Sequence, residues 1–322
     1  MRILCNICTR GRYDTTLPMA ISAVINQTKK IDKLVVYDDN DQPKDVREIQ
    51  HYKYLMDMMD LKGIQWEWVW ALKKGQHYSH DMANRAGYDL CWRVDDDCVP
   101  EANVLETLYS HFADMVGAVG GAILTPPFAP VHNVTGKIEN ISAEPSIQWD
   151  YIKEVKQVDH LHCSFLYRAG IHDYNLGLSR VAFREETLFT YGLKQKGYDI
   201  LVVPNATTWH LKNKFGGVRT EQEALFKHDD EIFKNTLNLK DQTVVVLDCG
   251  LGDHIVFNKI LPLLKNPAVF SCYNDVVPGR SIQDAKNLFG SLDQWSIYRK
   301  MDEWKWKGSL LDAFKKLYGV DQ

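Results

Sequence analysis

The chain has 322 residues, with 45% hydrophobic and 25% charged side chains and a formal net charge of −4. This is an ordinary globular composition, with room for one large domain or two smaller ones. Bulk charge gives no support to a nucleic-acid or membrane-surface partner, no apolar run approaches the roughly 20 residues that span a bilayer, and no segment has the form of a signal peptide.

Residues 2–8 predict a buried strand, followed by a loop at Thr9-Arg10-Gly11-Arg12. Leu17, Ile21, Val24 and Ile25 have helical spacing. Lys33 to Tyr37 predicts a second strand that ends in Asp38-Asp39-Asn40-Asp41, and residues 44–61 a helix. Gln65 to Trp70 alternates and is rich in Trp, which predicts a strand. Ser79 to Ala86 is helical, and Tyr88 to Val94 is an apolar strand running into Asp95-Asp96-Asp97 and then Cys98-Val99-Pro100. Glu101 to Phe112 predicts a helix, and Val116 to Leu124 a glycine-laced strand to which something approaches closely. Residues 125–157 read as a long loop or small ribbon and His160 to Arg168 as a strand. A helix from Glu185 to Lys196 and a strand ending at Pro204 lead to Trp209-His210 and a polar loop.

Strand and helix alternate throughout, which predicts an α/β fold with a mostly parallel sheet and helices on both faces. Near residue 240 the pattern restarts with the strand Thr243 to Asp248 and the turn Gly250-Leu251-Gly252-Asp253. The expected division is therefore 1–240 as the main domain and 241–322 as a small C-terminal α/β appendage. The cysteines number seven, an odd count, and sit mostly in apolar runs. They fit reduced, buried thiols and a cytoplasmic setting. Cys5 and Cys8 have redox-motif spacing, but they lie in a strand-like segment with no helix start after it.

Three adjacent carboxylates at a strand end repel each other, and a divalent cation carrying a phosphate is one way to hold them. In open parallel sheets functional groups gather at the carboxyl ends of strands. The Asp38-Asp39 and Asp95–Asp97 clusters both sit there, which points to a metal gripping a nucleotide diphosphate. His210 could complete such a shell with an imidazole. Glu185 and Glu186 open a helix, where acids compensate the dipole, or where a carboxylate can take a proton from a hydroxyl. Lys212, Lys214 and Arg219 lie on a glycine-containing loop after His210, either as a solvated basic loop or as a lid that meets a diphosphate.

The ordered motifs Ile7-Cys8-Thr9-Arg10, Val35-Val36-Tyr37-Asp38-Asp39-Asn40, Ala83-Asn84-Arg85, Val94-Asp95-Asp96-Asp97, Arg184-Glu185-Glu186-Thr187 and Pro204-Asn205-Ala206 with His210 resemble the family 2 glycosyltransferases of GT-A fold. The likeness covers about residues 1–215. It implies an inverting transferase that uses a nucleotide-activated sugar, UDP-sugar favoured, with Mn2+ or Mg2+. By position, Thr9, Arg10, Asp38, Asp39, Asp95 and Asp96 would bind the nucleotide. Asp97 and His210, with Asp95, would hold the metal. Glu186 would be the catalytic base, with Glu185 in reserve. The family's second acid is often Asp, and here it is Glu. The implied acceptor is a hydroxyl, favoured to be on a glycan or surface polysaccharide, with hydroxymethylated pyrimidine in DNA as a runner-up. A nucleotidyltransferase and a non-catalytic nucleotide-sugar-binding module are the other classes. The run Val246 to His254 resembles the first strand-turn-helix of heptosyltransferase-like GT-B enzymes, which implies a docking or acceptor-positioning unit.

Overall fold

The computed structural model describes residues 1–70, 73–126, 138–139, 146–147, 153–217 and 223–237, and three strands at 243–247, 267–273 and 296–299. Strand β1 (Ile3–Thr9) is buried at every position and lies inside the main sheet. It pairs in parallel with β2 (Lys33–Asp38), which pairs in parallel with β3 (Gln65–Trp70) at the edge. On its other side β1 pairs in parallel with β4 (Leu90–Val94). The remaining strands are β5 (Cys98–Pro100), β6 (Val116–Leu124), β7 (Ile138–Glu139), β8 (Ser146–Ile147), β9 (Lys156–Gln157), β10 (Ser164–Arg168) and β11 (Asp199–His210). Across the main sheet the order is β3-β2-β1-β4-β10-β6-β11-β5, with β9 also on β11. Strand β10 is antiparallel to both neighbours, β6 and β11 are parallel, and β7 and β8 form a separate short ribbon.

Side chains alternate across a strand, so each face of the sheet needs its own cover. Helices α1 (Leu17–Ile25), α2 (Gln50–Leu61) and α4 (Val104–Ser110) bury Ile21, Leu55 and Leu108 against Ile3, Cys5 and Ile7. On the other face α3 (Gln76–Asn84) and α5 (Glu185–Gln195) bury Ala83, Phe189 and Leu193 with Leu4 and Cys8. Cys5 and Cys8 thus belong to cores on opposite faces, which rules out a shared redox or metal site for that pair. A sixth helix, α6 (Glu223–Leu237), anchors through buried Phe233 and Leu237.

Strand β11 departs from expectation. The sequence predicts a stop at Pro204, yet the strand runs on to His210. The register against β6 slips between Val203 and Thr207, so Pro204 falls in a bulge where a ladder hydrogen bond is not required of it. Gly121 makes room: a Cβ there would lie 1.9 Å from the Ala206 carbonyl oxygen. The close approach expected in the glycine-laced strand is therefore made by the protein's own backbone. Beyond the bulge β11 pairs with β5, placing His210 opposite Cys98.

The C-terminal strands β12 (Thr243–Leu247), β13 (Pro267–Tyr273) and β14 (Ser296–Arg299) form a parallel sheet of their own. The Gly250-to-Asp253 turn lies outside the described residues. No helix among the described residues is long and apolar enough to cross a membrane.

Candidate active site

Parallel strands β1, β2 and β4 deliver their carboxyl ends to one edge, with Thr9 in register with Asp38 and Asp95 directly after β4. The Asp95–Asp97 turn is closed by the Cys98 N–H donating to the Asp95 carbonyl at 3.0 Å. The fold answers the repulsion in this run with three cationic side chains. Arg93 Nη2 lies 3.0 Å from Asp95 Oδ1. Arg12 pairs with Asp96 and lies 3.0 Å from Asp97 Oδ2. His210 Nε2 is 3.5 Å from Asp97 Oδ1. The protein's own cations thus offset part of the repulsion for which the sequence suggests a metal ion.

Burial raises the Asp96 pKa to about 7 against the pull of Arg12, with Asp97 adding to the rise. Thr9 Oγ1 donates to Asp96 at 2.8 Å. Burial also acts on Asp97, but His210 and Arg12 outweigh it and hold that carboxyl below the usual range. Burial opposes charge on His210, while Cys163 and Asp97 favour it and raise its pKa to about 11.

These groups open onto a cleft of about 420 Å³, within the size range of small-molecule sites. Thr9, Arg10, Arg12, Gln76, Asp95, Asp96, Asp97, His162, His210, Lys212 and Lys214 all line it. The loop after His210 is fastened over the Arg10–Arg12 turn. Arg12 donates to the Asn213 carbonyl at 3.2 Å, and the Gly217 N–H donates to the Arg10 carbonyl at 2.7 Å. Gly216 has φ of +74°, and a Cβ there would lie 2.6 Å from the Gly11 oxygen and 2.7 Å from the Arg10 oxygen. Gly216→Ala is expected to detach the loop, with about 1–2 kcal/mol lost to the left-handed backbone alone. The check is a lower Tm; an unchanged value would show that the loop is not latched there. Arg219 lies outside the described residues.

Four expected site residues do not line the cleft. Asp38 is turned inward: Asn40 donates to Oδ1 from both its backbone and its side chain, and Tyr13 and Trp68 donate to Oδ2. Asp39 is buried and accepts from the Gly75 N–H at 3.4 Å. Burial raises its pKa, while the Gly75 N–H and Arg10 lower it. Glu185 is fully buried, 2.5 Å from Arg93 Nη1 and 3.0 Å from Gln76 Nε2. Glu186 has its Oε1 3.0 Å from His162 Nδ1. The two acids therefore reach the cleft through its lining residues Gln76 and His162. Burial opposes charge on His162, yet Cys163 and Glu186 raise its pKa to about 9. The sequence reading missed His162, Gln76, Arg93 and the role of Arg12. Of these, Arg12, beside Arg10 and Gly11, and Arg93, a charge inside an apolar run, carried a local signal.

A curled, mostly parallel sheet of this order, covered on both faces, defines a GT-A type α/β fold. GalNAc-T7, solved with UDP, GalNAc and Mn2+, shares it with a TM-score of 0.52 at 13% identity, over 66% of this chain and 44% of that one. TarS of S. aureus aligns with a TM-score of 0.48 at 12% identity, over 66% and 37% of the two chains. The mannosyltransferase PcManGT of Pyrobaculum calidifontis, solved with GDP-Man and Mn2+, aligns with a TM-score of 0.47 at 13% identity, over 66% and 57%. This chain thus spans less than half the length of GalNAc-T7 and TarS. A comparison with curated proteins gives no match. The chain belongs to glycosyl transferase family 2, whose model matches residues 6–174.

Proposed function

We propose that this glycosyltransferase moves a hexosyl unit from a nucleoside-diphosphate donor, UDP-sugar favoured, to a hydroxyl of a glycan, with inversion and with Mn2+ or Mg2+. The observation that carries this reading is one cleft lined by both acids and cations: Asp95, Asp97 and His210 beside Arg12, Lys212 and Lys214. Phosphate oxygens suit the cations and a hard ion suits the acids.

The residues present fit a divalent ion. Asp97 Oδ1 and His210 Nε2, 3.5 Å apart, are near the roughly 3 Å edge of an octahedral shell. Asp95 lines the same wall. A cation held by Asp95, Asp97 and His210 would neutralise charge on the departing diphosphate. The rest is the work of side chains. Lys212 and Lys214 meet the diphosphate as its negative charge grows, which favours the transition state over the ground state. Glu186 takes the proton of the acceptor hydroxyl by way of His162, which lines the cleft and passes its Nδ1 hydrogen to Glu186 as it receives that proton. The acceptor oxygen attacks the anomeric carbon from the face opposite the leaving group, through a state of oxocarbenium character. GalNAc-T7, of the same fold, was solved with UDP and Mn2+, the pairing adopted here. Residues 241–322 form, in this reading, a separate unit that docks or positions the acceptor.

The test is thermal stability with nucleoside diphosphates and Mn2+. UDP at a hundred times its Kd stabilises by about 2.7 kcal/mol, and Asp97→Ala is expected to abolish that response. Indifference of the wild-type protein to every nucleoside diphosphate with Mn2+ would overturn the reading.

A further inference from the structure

Cys98, Cys163 and His210 converge on the side of the His210 ring away from Asp97. While Nε2 faces Asp97, Nδ1 lies 3.5 Å from Cys163 Sγ. Cys98 stands opposite His210 in the antiparallel β5–β11 pair, so the two side chains share a face. Cys163 precedes β10 with φ of +54°, a left-handed backbone that a non-glycine residue holds only where its surroundings impose it. Ligand atoms of the three residues all lie within 4.8 Å of one another, and both thiols are buried. The transfer chemistry above uses neither thiol.

We propose that Cys98, Cys163 and His210 Nδ1 form a binding site for a thiophilic divalent ion, Zn2+ first among them. This goes beyond the transferase reading and revises it at one residue, taking His210 from the cleft cation. Two thiolates and an imidazole select a borderline ion over Mg2+ or Mn2+. With Zn–S near 2.3 Å and Zn–N near 2.0 Å, sulfur and nitrogen in a tetrahedral shell sit roughly 3.5 Å apart. Cys163 Sγ and His210 Nδ1 already have that spacing. Two thiolates cancel the charge of the ion, so the buried cluster is neutral. Binding breaks two S–H bonds and the Nδ1–H bond of the charged His210 ring, forms two S–Zn bonds and one N–Zn bond, and releases three protons to solvent; no electron is transferred.

An ion on Nδ1 leaves the ring hydrogen on Nε2, directed at Asp97. This is the carboxylate–histidine–metal arrangement that fixes ligand tautomer and orientation. His210 would then orient Asp97 instead of binding a cleft cation itself, and Asp95 and Asp97 would hold that cation without it.

The experiment uses the full, reduced, metal-free chain with Co2+ as the probe. The expected result is one thiolate-bound Co2+ per chain, apart from any ion on Asp95 and Asp97, with thiolate-to-cobalt charge-transfer absorption and the visible bands of tetrahedral cobalt, bleached when Zn2+ is added. Cys98→Ser and Cys163→Ser should each lose the charge-transfer absorption. X-ray absorption of the Zn2+-loaded wild-type protein needs no variant and should show two sulfur ligands near 2.3 Å. A shell of nitrogen and oxygen only, no bound Zn2+, or charge-transfer absorption that survives in both serine variants overturns the site. Nucleotide binding, measured separately, decides the transferase reading.

Discussion

Glu186→Gln is expected to lower kcat by about 10²–10⁴, the usual range for loss of a positioned base, while UDP affinity stays at the wild-type value and Tm falls less than in Glu185→Gln. The amide keeps the shape of the side chain, and its oxygen can still accept from His162 Nδ1, now 3.0 Å from Glu186 Oε1. What it cannot do is take the acceptor proton. Glu185→Gln provides the contrast. Glu185 lies 2.5 Å from the buried Arg93 guanidinium, so its loss should reduce stability as well as rate. Steady-state kinetics and melting curves on both variants separate the roles. If Glu185→Gln lost turnover at full stability and Glu186→Gln did not, the assignments would be exchanged. If neither changed kcat, the proton would be leaving by another group.

The sheet and its functional edge were legible because both follow from period and chain order. Strands β1, β2 and β4 are short apolar runs that alternate with helices, and in parallel pairing their carboxyl ends must fall together. Asp95 and Asp97, which line the cleft, lie at the edge this reasoning points to, whereas Thr9 came from the family resemblance. Asp38 was misplaced for the same reason: position at a strand end does not say which way a carboxylate turns, and partners from Tyr13 and Trp68 turn it inward. The counter-charges of the Asp run were not legible. Arg12 reaches Asp96 across 84 residues, and His162 reaches Glu186 from a segment that reads as plain strand. Its break at Cys163 depends on a left-handed residue that is not glycine, for which the sequence carries no sign. Pro204 misled because a bulge, a tertiary feature, removes the need for its missing N–H. Arg93 was the one visible anomaly, a charge inside the apolar run Leu90 to Val94. A buried Arg requires anions close by.

That requirement gives the second large effect. Arg93 is fully buried, 2.5 Å from Glu185 and 3.0 Å from Asp95. Arg93→Met strands the Glu185 carboxylate in the core, and breaking a buried pair from one side costs about 3–5 kcal/mol. At this chain length that lowers Tm by on the order of 10 °C. The deficit should depend on pH, with a sign fixed by Glu185. Burial raises its pKa to about 8 even though Arg93 pulls it down, against about 4.3 in an unfolded chain. Without Arg93 the folded value rises further. In wild type and variant alike the folded acid keeps its proton from about 4.3 up to the wild-type value of about 8, so both lose stability together over that range. Above it the wild-type carboxyl ionises beside Arg93 while the variant's must stay protonated, and the deficit of the variant opens. Urea denaturation should accordingly show a smaller deficit at about pH 7 and a larger one at about pH 9.5. Adding Glu185→Gln to Arg93→Met should restore the pH-dependent part of the loss, because the stranded charge is gone. A deficit equal at both pH values, or one untouched by the second substitution, would mean that Arg93 stabilises the fold by packing and not by neutralising the acid beside the cleft.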